Sequence, residues 1–407
     1  MSLKAVENGA MVMQKVLDEW EEKTVKPLAM KGEPINVIHL VDQLPMKTMT
    51  SMLFGYDFAT RNEEKINRLK GFNQSIINTV FSNTWAAGLP FYDRLKTKAN
   101  DELRLFQKEW LEFLESYLVS KEREEGRGGV FDHVAAAALS ENKTGFLTKG
   151  LIQTLVEIVF ANQDIAVPSY AWMFAHLSVY PEIAAKMAVP KSTDVIYEKE
   201  GEVDEKSRVA DKSTLQNTYP EILNFVNESA RINPFFVLKT QAMLEKPTKI
   251  GNHVFPSGTR VTVDNYSMNH HPKYWKNPEV FDPCRFEDLD EYTKRWCFSR
   301  FGHGVRACPG QYHANIGMGN ALLRLVTKYE LVAADNSINS EYNSTAKIAH
   351  HKDIPVDPNQ AIVTPKMKLH IRIKPALPNN NMDQNEVYCQ NSLIDLKIKS
   401  KIDIIVI

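Results

Sequence analysis

The feature that most constrains this chain is a glycine-rich loop around one cysteine, with the sequence FSRFGHGVRACPG over residues 298–310. Gly302 and Gly304 allow tight turns and let a flat ligand approach the backbone closely. The Pro-Gly pair that follows Cys308 is typical of the start of a helix. Cys308 is therefore expected just ahead of a helix N-terminus, where N–H groups and the helix dipole stabilise a thiolate.

The chemistry of this loop suits a thiolate ligand for a haem iron. A cysteine thiolate pushes electron density toward the iron and favours O–O cleavage. Arg306 offers a guanidinium to an acidic group such as a haem propionate, and Phe301 is placed to pack beside the ligand and limit water. Cys308 on its own would be an ordinary core cysteine. The other cysteines form no CxxC pair and no disulfide framework, and we predict reduced thiols for Cys284, Cys297 and Cys389.

Residues 301–310, FGHGVRACPG, resemble the haem-binding loop of the cytochrome P450 family, F-G-x-G-x-R-x-C-x-G, at every defined position. The resemblance implies a mainly α fold with small β-sheets that lacks the family's first helices and first sheet strands. It implies haem b, with Cys308 as the iron ligand and with further contacts from Phe301, Gly302, Gly304, Arg306 and Gly310. We predict one haem-thiolate domain over residues 1–378, N-terminally incomplete, and a tail of unknown structure over residues 379–407.

A second motif of the family is an E-x-x-R pair on a helix, and Glu228 and Arg231 fit it. The i, i+3 spacing puts both side chains on one helix face. The segment FDPCRF over residues 281–286 resembles the family's loop that supplies a third member, so Arg285 is expected to complete a structural cluster that holds the haem loop. The same spacing occurs in two polar runs, where we predict solvated pairs: Glu124 with Arg127, and Glu205 with Arg208.

The apolar pattern over residues 151–180 predicts a long, central, buried helix. By resemblance this helix should carry the oxygen-activating motif [AG]-G-x-[DE]-T, and the corresponding residues read ANQDI. Asp164 occupies the acid position and is expected to relay protons through water. Asn162 replaces the glycine, and Ile165 replaces the threonine, whose hydroxyl an isoleucine cannot supply.

Pro168 lies one turn beyond Asp164 and lacks the N–H that would bond to the Asp164 carbonyl. We expect it to kink the helix. Our hypothesis is that the freed carbonyl holds a water molecule and that Asn162 holds a second one. These waters would replace the missing hydroxyl in proton delivery.

Hydrophobic periodicity predicts a first helix around Met13 and Trp20, which would correspond to family helices that follow the early sheet and the W-x-x-x-R helix. The family's anchor, its first helices and one propionate contact are thus expected to be absent. Lys239 stands near the place of a propionate-binding arginine and is expected either in that role or at the surface. Further helices are predicted over residues 41–54, 62–81, 91–123, 221–232 and 322–331. Two strands are predicted over residues 248–263 about a turn at 256–258, and another strand over 367–373.

Charge and hydropathy limit the partners. The net charge of -1 provides no global field for nucleic acid, and no apolar run reaches the roughly 18–20 residues that a membrane span needs. The localisation stays open: the endoplasmic reticulum membrane if a full-length form carries the family's anchor, the cytoplasm otherwise. The basic residues before the cysteine form either a docking patch or a solvated loop: Lys294, Arg295, Arg300 and His303.

The resemblance implies a monooxygenase that inserts one oxygen atom of O2 into a small, mostly apolar organic substrate. Electrons would come from NADPH through a flavoprotein reductase or a ferredoxin. Ile165 keeps a second activity open, the isomerisation or lysis of lipid peroxides, which needs no reductant. The expected truncation keeps a third possibility open, an inactive isoform.

Overall fold

The computed structural model describes residues 3–82, 95–134, 147–187, 212–234, 242–334 and 370–376. The helices are α1 Leu3–Trp20, α2 Lys26–Lys31, α3 Val37–Val41, α4 Leu44–Phe54, α5 Tyr56–Arg61, α6 Glu63–Ser82, α7 Lys98–Leu118, α8 Lys121–Glu124, α9 Lys149–Val156, α10 Asn162–Val179, α11 Pro181–Met187, α12 Lys212–Asn217, α13 Pro220–Ile232, α14 Asn265–Asn269 and α15 Gln311–Lys328. The strands are β1 Ile35–Asn36, β2 Ala242–Met243, β3 Thr248–Ile250, β4 His253–Phe255, β5 Arg260–Val261, β6 Tyr329–Ala333 and β7 His370–Pro375. The predicted mainly α fold with small β-sheets is confirmed.

The first helix turns its apolar stripe into the main core. Met13, Val16, Leu17 and Trp20 are all buried, as the i, i+3, i+4, i+7 spacing predicts. Trp20 stacks on Phe174 of α10 at a centroid distance of 5.9 Å, and its Nε1 donates to the carbonyl of Leu40 at 2.9 Å. An indole N–H buried in this way needs such a partner.

Helix α10 runs through the centre of that core. Every residue from 167 to 178 is buried, which is the signature of a helix surrounded by protein on all sides. A π-helix, Glu157–Ala161, joins α9 to α10, so residues 149–179 are helical throughout. The helix continues past Pro168.

A second core is aromatic and joins α4, α5 and α7. Phe54 meets Phe113 and Tyr117 edge-on, with centroids 5.2 and 5.1 Å away, and edge-to-face geometry is the favoured one for such pairs. Trp110 stacks on Phe113 at 5.3 Å. The main chain of Gly129 lies against α4 so closely that a Cβ there would be 2.3 Å from the Leu53 backbone.

The small sheets are antiparallel, and one predicted turn was misplaced. β1, β7 and β6 form one sheet in that order, β2 pairs with β5, and β3 pairs with β4. The hairpin turn is at residues 251–252, where Gly251 adopts φ +60, and not at 256–258. The latter turn leads from β4 into β5, which pairs with a different strand, so the prediction of one hairpin over 248–263 was wrong.

Several predicted boundaries also shift. The helix expected over residues 91–123 is α7, which begins after Thr97, because the Thr97 hydroxyl caps it by accepting from the Asn100 amide at 3.2 Å. The helix expected over 322–331 begins at residue 311, and residues 329–331 belong to β6. Part of the 367–373 strand and all of the predicted tail lie outside the described residues. No helix in the described ranges has the length and apolar character that a bilayer crossing requires.

A buried acid ties the beginning of the chain to α15. Glu21, at the start of the π-helix that follows α1, accepts from Lys328 at 3.0 Å, from Arg324 at 3.3 Å and from the Tyr329 hydroxyl at 3.1 Å. Arg324 also pairs with Asp18 at 2.7 Å. The cations and the hydroxyl compensate the burial of this carboxylate.

Candidate active site

The cysteine loop has the backbone geometry that its glycines predict. Gly302 and Gly304 adopt φ +75 and +72, the left-handed region that other residues rarely enter. A 3₁₀-helix, Gly304–Arg306, follows, and the Cys308 amide donates back to the Phe301 carbonyl at 2.8 Å. α15 begins at Gln311, so Cys308 lies just ahead of a helix N-terminus, as predicted.

The Cys308 side chain is exposed and forms no disulfide. A Cβ on Gly310 would lie 3.7 Å from its Sγ, an ordinary van der Waals contact, so this glycine adjoins the sulfur. An accessible thiol with an engaged amide, at the N-terminal end of a long helix, is the donor arrangement that a thiolate ligand requires. These residues fit a haem bound through one cysteine. Among the described cysteines Cys297 is buried and Cys284 half-buried, and neither forms a disulfide.

The structure brings together the three residues of the predicted structural cluster. Glu228 and Arg231, on α13, have completely buried side chains, and Arg231 donates from Nε and Nη2 to the two carboxylate oxygens at 2.7 and 2.8 Å. Arg285 donates from Nε to Oε1 of Glu228 at 3.1 Å. The amide of Asp282 donates to the same oxygen at 2.8 Å.

The two arginines of this cluster also donate hydrogen bonds to main-chain carbonyls. Arg231 donates to the carbonyls of Asn269 and Pro278 at 2.9 and 2.8 Å. Arg285 donates to those of Lys276 and Val280 at 2.6 and 2.9 Å. The cluster therefore fixes the irregular segment between α14 and the cysteine loop, because it joins main-chain carbonyls of that segment to the buried Glu228 carboxylate.

Of the other E-x-x-R matches, the one within the described residues, Glu124 with Arg127, does not form such a pair. Arg127 is exposed and contacts Glu125 and Asp57 rather than Glu124. Glu205 and Arg208 lie outside the described residues. The polar surroundings in the sequence were the correct basis for separating Glu228 from Glu124.

Asp164 lies half-buried near the start of α10, directly after the π-helix. Burial raises the pKa of its carboxyl above the usual value, and the positive charge of Lys70 partly offsets this. Lys70, on α6, also donates to the Asp42 carbonyl at 3.1 Å and pairs with the Asp42 carboxylate at 2.6 Å. A carboxyl that holds its proton to higher pH than a solvated one is suited to proton transfer.

The neighbours of Asp164 have different roles in packing. Ile165 is half-buried, and its carbonyl accepts from the Ser169 hydroxyl at 2.6 Å. Gln163 is buried and donates from Nε2 to the Asp42 carbonyl at 2.7 Å. The side chain of Asn162 lies outside the described residues, as do the side chain of Arg306 and all of Lys239.

The basic residues before the cysteine divide into two groups. Lys294 and Arg295 are exposed, and Arg295 lies over the ring of the half-exposed Trp296 at 5.0 Å. His303 is exposed and lies against the same indole at 5.6 Å. Arg300 instead points inward to α13 and α15, so its inclusion in a docking patch was wrong.

Two enclosed polar groups were not predicted as site residues. Arg300 was read as a surface residue because a charge in a loop is normally solvated. His176 of α10 is completely buried, with Nδ1 at 2.8 Å from the Ser229 hydroxyl and Nε2 at 3.0 Å from Oδ1 of Asn233. Its partners are 53 and 57 residues away, so no local pattern marks it.

Comparison with known proteins finds a family model whose matched range includes both the cysteine loop and the cluster. A family model described as cytochrome P450 matches residues 1–354. The chain is 30% identical over 182 residues to a steroid 17-alpha-hydroxylase/17,20 lyase of Squalus acanthias, which is 44% of this chain and 33% of the relative. It is 28% identical over 291 residues to cytochrome P450 81D1 of Arabidopsis thaliana, 70% of this chain and 54% of the relative.

A third relative is the cytochrome P450 monooxygenase asaD of Aspergillus flavus, 28% identical over 241 residues, which is 58% of this chain and 43% of the relative. The three alignments thus span between 33% and 54% of the relatives' own length.

Proposed function

We propose, because the chain belongs to the cytochrome P450 family, that the whole protein is a haem-thiolate monooxygenase. It would insert one oxygen atom of O2 into a small, mostly apolar organic substrate. The observation that carries this proposal is the exposed Cys308 thiol, which the left-handed glycines and the Phe301 carbonyl present ahead of α15. A haem with a thiolate ligand supplies the oxygen-activating chemistry.

The residues that would hold haem b are those of the cysteine loop. Cys308 would ligate the iron, while Phe301, Gly302 and Gly304 would face the macrocycle. Gly310 would contribute through its position next to the sulfur. Arg306 and Lys239 are proposed as propionate contacts, because a guanidinium or ammonium pairs well with a carboxylate.

Asp164 is the proposed proton carrier. Its carboxyl is desolvated, with a pKa raised by burial, and it occupies the acid position of the motif that the family carries on this central helix. Lys70 and Asp42 connect its surroundings to the protein surface, since the Asp42 side chain is 38% exposed. Asn162 and the main-chain carbonyl of Asp164 are the proposed water sites, the latter because Pro168 cannot donate to it.

NADPH is the proposed electron source, through a flavoprotein reductase or a ferredoxin. The exposed group of Lys294, Arg295 and Trp296 beside the cysteine loop is suited to an acidic partner, because surface charge of one sign steers association. Without Arg300, this patch carries fewer cations than the sequence alone indicated.

A second candidate activity is the rearrangement of a lipid hydroperoxide, and Ile165 favours it. The half-buried isoleucine places no hydroxyl next to Asp164. A peroxide substrate already contains the O–O bond, so this reaction needs neither O2 nor a reductant.

The test is the carbon monoxide difference spectrum of the reduced protein after loading with haem. The red-shifted Soret band of a thiolate-ligated haem is expected in the wild type and should be lost in Cys308→Ala. Cys284→Ala is the matched control, because Cys284 is half-buried and forms no disulfide but belongs to a different turn, and it should keep the band. A wild-type chain without any haem band would refute the proposal for this chain.

Product analysis then separates the two activities. Turnover with O2, NADPH and a reductase, and none with a hydroperoxide alone, supports the monooxygenase. Turnover of a fatty-acid hydroperoxide in the absence of any reductant would favour the rearrangement instead.

A further inference from the structure

Arg300 is a partly buried cation at the base of the cysteine loop. Its Nη1 donates to Oδ1 of Asn315 at 2.8 Å and to Oδ1 of Asn227 at 3.3 Å. Its Nη2 lies 3.0 Å from the Met318 sulfur. Asn227 belongs to α13, the helix that carries Glu228 and Arg231, while Asn315 and Met318 belong to α15, which follows Cys308. One side chain thus links the loop to both helices.

The guanidinium also stacks within its own loop. Its Cζ lies 4.6 Å from the centroid of the Phe301 ring, a cation–π distance. The carbonyl of Phe301 is the acceptor for the Cys308 amide. Arg300 therefore restrains the residue that in turn restrains the cysteine.

The Arg300 guanidinium stays charged although burial of a charge is energetically unfavourable. Burial lowers the pKa of the Arg300 guanidinium to about 10, against the opposing effects of Tyr170 and Cys308, so the group stays protonated at neutral pH. Its Nε has no hydrogen-bond partner within the described residues. A partly buried cation whose hydrogen-bond partners are the neutral groups of Asn227, Asn315 and Met318 costs stability.

We propose that Arg300 is a positioning residue that fastens the cysteine loop to α13 and α15 and places a fixed positive charge against Phe301, whose carbonyl accepts from the Cys308 amide. The second half rests on the proposed function. In a haem-loaded protein a nearby cation stabilises the form with one more electron, because opposite charges attract strongly in a poorly solvated site. Arg300 should then raise the midpoint potential and ease reduction by the electron donor.

Two substitutions separate the fastening from the charge. Arg300→Lys keeps the positive charge but loses the planar fork that reaches two asparagines. Arg300→Met removes both and keeps a side chain of similar length. Arg295→Met is the matched control, since Arg295 stacks on Trp296 at 5.0 Å but is exposed, where water screens its charge.

The first arm uses the haem-free protein. Hydrogen–deuterium exchange at the Cys308 amide should be faster by about tenfold or more in Arg300→Met and Arg300→Lys, because both lose the restraint on Phe301. Arg295→Met should exchange like the wild type, and circular dichroism should show the same helix content in all four. Equal exchange in the wild type and both Arg300 variants would overturn the fastening role.

The second arm is a potentiometric titration of the haem-loaded protein with chemical mediators, without any protein partner. Arg300→Met should lower the midpoint potential by about 59 mV or more, the equivalent of a tenfold change in a one-electron equilibrium. Arg300→Lys should stay closer to the wild type than to Arg300→Met, and Arg295→Met should not shift it. Equal potentials in Arg300→Met and the wild type would overturn the charge role.

The two experiments also distinguish a failure of the Arg300 proposal from a failure of the proposed function. If the wild type takes up no haem, the proposed function fails and the charge role falls with it. The exchange arm still decides the fastening role in that case.

Discussion

Arg231 and Glu228 form a two-pronged ion pair, with bonds of 2.7 and 2.8 Å between side chains that have no exposed surface. They lie one turn apart on α13, so the helix itself aligns them. Arg285 adds a second cation at 3.1 Å. The carboxylate thus receives charged donors from its own helix and from the segment that leads to the cysteine loop, and it connects the two.

Glu228→Gln should destabilise the protein by about 3–5 kcal/mol, because it leaves two buried arginines without their counter-charge. The free energy of unfolding from urea titration measures this. Glu124→Gln is the matched control: it removes an acid of the same E-x-x-R spacing that is exposed, and a change within about 0.5 kcal/mol is expected. Similar losses in the two variants would contradict the structural role of the cluster.

Gly129→Ala should destabilise the protein by about 2 kcal/mol or more, because the added methyl would overlap the Leu53 main chain, which cannot move without shifting α4. Gly71→Ala tests the opposite environment. Gly71 lies within α6, and a Cβ there would meet no atom within 4 Å. Alanine should stabilise that helix by up to about 1 kcal/mol. Melting temperatures that fall in both variants would refute the close approach at Gly129 as the cause.

The raised pKa of Asp164 predicts a specific pH dependence. The native carboxyl holds its proton to higher pH than the unfolded one, so this group lowers stability as pH rises from its unfolded value, 3.8, to its native value. Asp164→Asn should remove that loss and make the protein more stable than the wild type near neutral pH. Thermal unfolding across the acidic range up to neutral pH measures it.

Asp290 provides a control of opposite sign for that experiment. Hydrogen bonds from Thr293 lower the pKa of its carboxyl, so its contribution is present at neutral pH and is lost as pH falls through the native value. Asp290→Asn should therefore destabilise at neutral pH and have less effect in acid. A pH profile for Asp164→Asn with the same sign as that for Asp290→Asn would contradict the desolvation of Asp164.

His176→Phe should cost about 1–3 kcal/mol, because the Ser229 hydroxyl and the Asn233 amide would each lose a buried partner. The new ring itself would fit the apolar contacts, since His176 lies 4.9 Å from the Phe281 ring. The double variant with Ser229→Ala should lose less than the sum of the two single losses, because the hydroxyl then needs no partner. Strict additivity in chemical denaturation would show that the histidine and the serine are not coupled.

Much of the site could be predicted because its parts are local. Gly302, Gly304 and Cys308 lie within one short loop whose geometry the residue types determine, and Glu228 and Arg231 are one helical turn apart. The apolar stripe of α1 was likewise predicted from spacing. Each of these inferences needs only a few neighbouring residues and a known period.

The rest depends on contacts between distant segments. Gly251 and Gly258 are equally good turn residues, and only the pairing of β5 with β2 decides which turn closes a hairpin. Arg300 lies in a loop, where a charge is normally solvated, and only its contacts with Asn227 and Asn315 show that it is enclosed. Contacts between distant segments follow no period in the sequence, so neighbouring residues could not predict them.

The bonds of Glu21 to Arg324, Lys328 and Tyr329 also constrain the order of events during synthesis. These three partners follow Glu21 in the sequence by 303 to 308 residues. The pairing of β1 with β7 likewise cannot form until β7 has been synthesised. At about 5–20 residues per second, the ribosome needs roughly a quarter of a minute or more to supply the partner of Glu21. Trp20 can already pack on Phe174 of α10 during that interval, but Glu21 lacks its counter-charges until residues 324–329 have been synthesised.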